Sequence, residues 1–322
     1  MDLNRSAAAP PILVTGSHRS GTTWVGRMLA LAPQLGYIGE PFNPLCRPGV
    51  CRAGFSRWFM HLDDGNAAPY LDALRDSLNF RYDALAELKA LGANGRMPAD
   101  VAPAEVAFIQ EYTRFTAHHL QGARPLVKDP IAFFSAEWLA REFGMQVLVL
   151  VRHPAAFAAS LKRLDWKFPF ADLAGQEALM EGLLKNYRDP IRAYAADPPD
   201  IIRQASLFWN CVYHTAGEYR RRHPDWIFLR HEDMSRAPVQ HFRHLFERFG
   251  LPFTPGVEAG ILDHSKAGNA RDWKDGDNPH GVKFDSAAAV KKWRGKLTAD
   301  EVDSIRRDTA AVARRWNADG DW

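Results

Sequence analysis

Cysteine is scarce in this chain: three among 322 residues, too few for a disulfide framework. Cys46 and Cys51 stand close together, but no second pair accompanies them, so reduced thiols are expected rather than a metal or redox centre. No apolar run approaches the length of a membrane span, and residues 1–11 lack the pattern of a secretory signal. Charge of one sign is not in excess either. Forty-one Lys and Arg against 38 Asp and Glu leave +3, too little to argue for nucleic-acid binding. Internal repeats and low-complexity stretches are absent. The remainder is 46% hydrophobic and 25% charged, the composition of a soluble globular protein long enough to bury a full core.

Residues 11–31, PILVTGSHRSGTTWVGRMLAL, are the most informative segment. An apolar run (Ile12, Leu13, Val14) leads into Gly16-Ser17-His18-Arg19-Ser20-Gly21-Thr22-Thr23, and a helical pattern follows through Trp24, Val25, Met28 and Leu29. Strand, glycine-bounded loop and helix start aim backbone N–H groups and the positive helix end at an anion. The spacing is that of the G-x-x-x-x-G-K-[ST] phosphate loop, but Thr22 stands in the lysine position and the cation sits at Arg19. A second apolar run, Met145 to Leu150, ends in Val151-Arg152-His153-Pro154 and an alanine-rich helical stretch reaching Ser160. Arg152 is thereby expected at a strand's C-terminal end, where open α/β sheets bind ligands, with Ser160 about two turns up the next helix. Read by themselves, these two residues are equally compatible with a structural ion pair and a hydroxyl bonded to its own backbone.

R-S-G-T-T-W resembles the 5′-phosphosulfate loop of sulfotransferases that use 3′-phosphoadenosine 5′-phosphosulfate (PAPS). The resemblance implies that Arg19, Ser20, Gly21, Thr22 and Thr23 hold the 5′-phosphate and that Trp24 lies near the adenine. It implies that Arg152 and Ser160 grip the 3′-phosphate, a group ADP and ATP lack. Branches of the family with a glutamate base place it in a G-E segment like Gly39-Glu40, which makes Glu40 the candidate base. Other branches use histidine, leaving His118 and His119 as rivals. Lys128, in Leu126-Val127-Lys128-Asp129-Pro130, matches a family lysine beside the transferred sulfuryl group, and Asp129 is expected to cap the next helix. Arg19 and Lys128 would offset charge on the leaving nucleotide. Phe228 to Met234 resembles a strand followed by Y-E-D, with His231 in the tyrosine position, and Glu232 and Asp233 are expected to brace the helix. Lys291-Lys292-Trp293-Arg294 resembles a late basic segment, so Lys291, Lys292 or Arg294 could reach the nucleotide, with Arg271-Asp272-Trp273-Lys274 as a second possibility. No metal is required, because a sulfuryl group carries less charge than a phosphoryl group.

Short apolar runs at 11–16, 36–39, 125–128, 146–151 and 226–230 alternate with helical patterns. The expected fold is a P-loop type three-layer α/β/α domain over residues 1–322 with a central parallel sheet. Residues 41–124, with helical patterns at 68–91 and 103–121, and residues 164–224 read as helical insertions forming the acceptor pocket and lid. A further amphipathic helix is expected at 133–143, and Gly268 to Gly281 reads as a loop that closes over substrate. Trp166, Phe168, Phe170, Tyr187 and Trp209 divide between core and ligand platform. The expected activity is transfer of a sulfuryl group from PAPS to a hydroxyl of a glycan, lipid or small molecule, in a cytoplasmic protein of bacterial type. The rival readings are an ATP-dependent small-molecule kinase and a non-catalytic nucleotide-binding protein; acceptor identity and oligomeric state are left open.

Overall fold

The computed structural model describes residues 9–93, 104–269, 283–316 and 322. Five strands form one parallel sheet: β1 (Ile12–Gly16), β2 (Leu35–Gly39), β3 (Arg124–Lys128), β4 (Gln146–Val151) and β5 (Ile227–Arg230). Each lies within one residue of its apolar run. The runs are apolar throughout because helices cover both faces of the sheet. Alternation of side chains then decides which core each residue enters. Leu13, Val127, Val147 and Val149 join the core that holds the helix Ile201–Arg222. Ile12, Val14, Leu126, Leu148 and Leu150 join the opposite one, with the helices Thr22–Leu29 and Pro238–Arg248. The result is a three-layer α/β/α domain.

The order across the sheet, β2-β3-β1-β4-β5, puts β1 in the middle. The chain runs from β1 to β2 and β3 on one side and then to β4 and β5 on the other, so a crevice forms where strand order reverses, at the C-terminal ends of β1 and β4. The two strands are in register up to Gly16 and Leu150, so the segments that follow them begin side by side.

The two interrupting spans behave differently. Between 41 and 124, Phe42, Val50, Phe55, Phe59 and Leu62 enter the larger core, ahead of the helices Ala68–Leu78, Ala84–Ala93 and Ala104–Leu120. The helical pattern of 68–91 is broken at Phe80, which adopts φ 54° and lays its ring over Gly36. Between 164 and 224, the helix Ile201–Arg222 serves the sheet itself: it is the crossover to β5 and packs on the helices Pro154–Leu164 and Ala299–Ala313. Phe208, Trp209, Tyr213 and Tyr219 on it are fully buried. The helix expected at 133–143 begins as a 3-10 turn, Ile131–Ser135, before Ala136–Phe143. Asp129 accepts the N–H groups of Ile131 (2.8 Å) and Ala132 (3.1 Å), which draws the chain into the tighter turn. Most of the expected closing loop, residues 270–281 with Arg271 to Lys274, lies outside the described residues. Among the described residues no helix is long and apolar enough to cross a membrane.

Candidate active site

The loop after β1 is held by its own hydroxyl: Ser20 Oγ donates to the Ser17 carbonyl at 2.6 Å, and Ser20 N donates to the same oxygen at 3.2 Å. Arg19, at the apex, adopts φ 61°, a left-handed conformation costly for a residue with a Cβ. Gly21 has φ 95°, and a Cβ there would land on the His231 imidazole. The helix Thr22–Leu29 that follows has no side-chain cap and no acidic residue in its first turn. Its leading N–H groups and its positive end are thus left to a partner from outside the helix. Thr22 is buried and Thr23 half-buried at this end. Trp24 is buried, edge-on to Phe242, Phe284 and His231, with its Nε1 without a hydrogen-bond partner.

The end of β4 brings a second cation to the same place. The Arg152 guanidinium donates to the Arg19 carbonyl oxygen, and Arg19 Nε donates to Ser160 Oγ at 3.2 Å. Arg19, Arg152 and Ser160, spread over 141 positions of sequence, therefore form one cluster. Burial and the adjacent Arg152 and Arg163 charges lower the Arg19 pKa to about 10. Burial likewise lowers that of Arg152, with Arg163 adding to the effect and Glu232 opposing it. Arg152 Nε is buried without a hydrogen-bond partner. Three mutually repelling guanidiniums, an orphaned donor and an uncapped helix end are a donor set for a multiply charged anion. The residues present fit a nucleotide bearing two phosphate groups. Arg163 escaped the sequence reading, although its i, i+3 relation to Ser160 on one helix was a usable signal.

The backbone of Arg152 is pinned by the crossover helix. Its N–H donates to Tyr213 Oη at 3.1 Å, and Trp209 Nε1 donates to its carbonyl at 2.8 Å. Tyr213 Oη also meets Ser17 Oγ at 2.8 Å, so one phenol links both loops. Nothing in the sequence marks Tyr213 or Trp209 for this task, since their partners are far away along the chain. Beside them, Glu232 accepts the His153 N–H at 2.9 Å, while Asp233 pairs with Arg230 and Arg236. His231, buried against Gly21 and Trp24, is held neutral by burial and by Arg152.

Glu40 stands just past β2 at φ 52°. Lys128 Nζ, at the end of β3, donates to its Oε1, and Asn43 Nδ2 donates to its Oε2 at 3.0 Å. The lysine is buried, its stem running along Gly26, where a Cβ would sit 3.0 Å from Lys128 Cγ. Asp129 next to it is fully buried; burial and the Glu40 charge push its pKa up to about 7, against three backbone N–H donors including Phe42 at 2.7 Å. Glu40 also acts electrostatically on Arg19 and His18, which ties the Glu40–Lys128 ion pair to the loop. Of the two histidine candidates, His119 Nδ1 meets the Asn79 carbonyl at 2.8 Å, and His118 packs on Phe80 with its Nδ1 buried without a hydrogen-bond partner.

The late basic segment forms a 3-10 turn, Lys292–Gly295. Its Trp293 stacks on His153 at 5.3 Å and packs with Ala155, Ala156 and Ala159, so the turn docks on the helix that carries Ser160. Lys292 is half-buried there, Lys291 is exposed, and Arg294 turns away to donate to the Trp322 carbonyl at 2.8 Å. Cys46, Cys51 and Cys211 are free thiols.

The chain is similar to known proteins over part of its length. Human carbohydrate sulfotransferase 3 is 26% identical over 187 residues, 54% of this chain and 31% of that one. Carbohydrate sulfotransferase 1 of Danio rerio is 33% identical over 85 residues, 25% of this chain and 20% of that one. The chain thus spans about a third or less of the length of these curated relatives. The solved sulfotransferase domain of the Synechococcus PCC 7002 olefin synthase aligns over 99% of this chain and 98% of its own, with 18% identity and a TM-score of 0.49. Residues 10–255, from the first strand to the helix Pro255–Ser265 and taking in both cationic loops, match the sulfotransferase family as a whole, and the chain belongs to that family.

Proposed function

We propose that this protein moves a sulfuryl group from PAPS to an acceptor hydroxyl by in-line displacement. The observation that carries the donor is the meeting of Arg19, Arg152 and Ser160. PAPS supplies an activated sulfuryl group; a new S–O bond forms to the acceptor as the bond to the nucleotide phosphate breaks. Arg152 and Ser160 bind the 3′-phosphate, with Lys292 as the nearest reinforcement and Arg294 behind it. Ser20, Gly21, Thr22 and Thr23 present the loop and helix N–H groups to the 5′-phosphate, with Arg19 above them. Trp24 supports this loop from the core side.

Glu40 takes the proton of the acceptor hydroxyl. Its protonation dissolves the ion pair with Lys128, whose Nζ then offsets the charge growing on the departing oxygen. The acceptor enters from the side of residues 41–124 and 165–200. A carbohydrate hydroxyl is the first class to test, since the named relatives are carbohydrate sulfotransferases. Reduced, free thiols suit a cytoplasmic site of action.

Thermal melts with 3′,5′-ADP, ADP and Mg-ATP test the donor. Stabilisation should be strongest with 3′,5′-ADP, and Arg152→Gln should erase its advantage over ADP. Stabilisation by Mg-ATP alone would favour the kinase instead. Transfer of labelled sulfate from PAPS to a panel of sugars, phenols and amino alcohols separates an enzyme from a binding protein.

A further inference from the structure

Two features around Glu40 go beyond proton abstraction itself. The residue holds a left-handed backbone conformation, φ 52°, although it is not glycine. Its carboxylate also takes a second hydrogen bond, from the Asn43 side chain. Asn43 closes a small loop on Glu40 twice: its backbone N–H donates to the Glu40 carbonyl at 3.0 Å, and its Nδ2 donates to Glu40 Oε2 at 3.0 Å. The orientation of the amide is not free. Leu45 N–H, which can only donate, meets Asn43 Oδ1 at 2.9 Å. That contact turns the oxygen toward Leu45 and leaves the NH₂ group facing Glu40.

We propose that Asn43 is a positioning residue that holds the Glu40 carboxylate ionised and aimed, through an amide donor whose direction is set by the Leu45 N–H. The role rests on Glu40 being the base. With Lys128 on Oε1 and Asn43 on Oε2, both oxygens are oriented before any acceptor arrives. A donor to the charged form favours that form. Other groups acting on or through this carboxylate include Lys128 and Asp129 from the end of β3, His18 and Arg19 from the loop, Tyr37 from β2 and Cys46. When Glu40 takes up a proton it loses Lys128 as an ion pair, and the Asn43 NH₂ remains to guide the carboxylate back for the next turnover.

The decisive variant is Asn43→Asp. Aspartate keeps the acceptor for Leu45 N–H and so keeps the turn, but it replaces the donor facing Glu40 with a like charge. Asn43→Ala removes both contacts. The Glu40 carboxyl is followed by 13C NMR titration of the free protein, assigned by its loss in Glu40→Gln, alongside kcat and KM. Asn43→Asp should raise the Glu40 midpoint and the acid limb of the kcat profile by about one pH unit or more, so that kcat on the acid limb falls by about tenfold, with the KM for PAPS unchanged. Asn43→Ala should shift both less. A purely structural turn predicts the reverse order, with Asn43→Asp close to wild type and Asn43→Ala impaired; that order overturns the proposal. Full kcat in Glu40→Gln removes Glu40 as the base, while the NMR midpoints still decide whether Asn43 tunes its charge.

Discussion

At the scale of single residues, the site is made by displacing charges and conformations from their ordinary preferences. His18 is the clearest case outside the machinery. Its ring is ringed by Phe59, Phe157, Trp166, Phe168 and Phe208, and its Nδ1 is buried without a partner. Burial, helped by Arg19 and opposed by Glu40, lowers its pKa from 6.5 to about 3. Once unfolded, the same imidazole takes a proton below about pH 6.5. The unfolded chain then binds more protons than the folded one, so stability that is whole above pH 6.5 declines as pH falls toward 3. His231 acts in the same direction. Urea unfolding of wild type and His18→Gln between pH 7 and pH 4 should therefore give a flatter pH dependence in the variant, by up to about 1.4 kcal/mol per unit. Parallel curves would remove His18 from this role. Residue identities at Arg19, Glu40, Lys128, Arg152 and Ser160 were legible because each sits in or next to a short motif. Tyr213, Trp209 and Asn43 were not, because hydrogen-bond partners across a fold leave no mark on local pattern.

At the scale of elements, the strands were legible to within one residue, because a doubly covered parallel strand is a short unbroken apolar run. Helices were harder. The 3-10 turn at Ile131–Ser135 arises from a carboxylate two residues upstream of its start, and the break at Phe80 from a ring seated on Gly36. Neither alters periodicity. The helix Thr22–Leu29 depends on the glycine before it, which is held by two constraints at once: φ 95° and the His231 ring where a Cβ would go. Gly21→Ala should cost about 1–3 kcal/mol of stability, seen as a lower melting temperature. Adding His231→Ala should recover the part due to the clash and leave the part due to the dihedral. If the double variant melts no higher than Gly21→Ala, the imidazole is not what excludes the side chain.

Across the whole molecule, the second insertion contains a helix, Ile201–Arg222, that also serves the sheet. A long amphipathic helix looks the same whether it lids a pocket or covers a sheet. Only the strand order, with β5 outside β4, reveals Ile201–Arg222 as the crossover. That placement gives it a hold on the loops after β1 and β4 from below. Tyr213→Phe keeps the ring and removes only the hydroxyl shared by Ser17 and Arg152. The variant should fold, raise the KM for PAPS several-fold and leave kcat within about twofold, because the lost bonds orient binding groups rather than reacting atoms. A fall in kcat at constant KM would contradict this division.

The shared phenol has one more consequence. A vice whose jaws are bolted together at the back cannot release its work by opening. With the turn after β1 and the tip of β4 fastened to the same buried oxygen, parting them breaks two buried hydrogen bonds, so under the proposed function spent 3′,5′-ADP would leave without that opening. Under that function, the pace of turnover would be set at the mouth of the crevice and not in its floor.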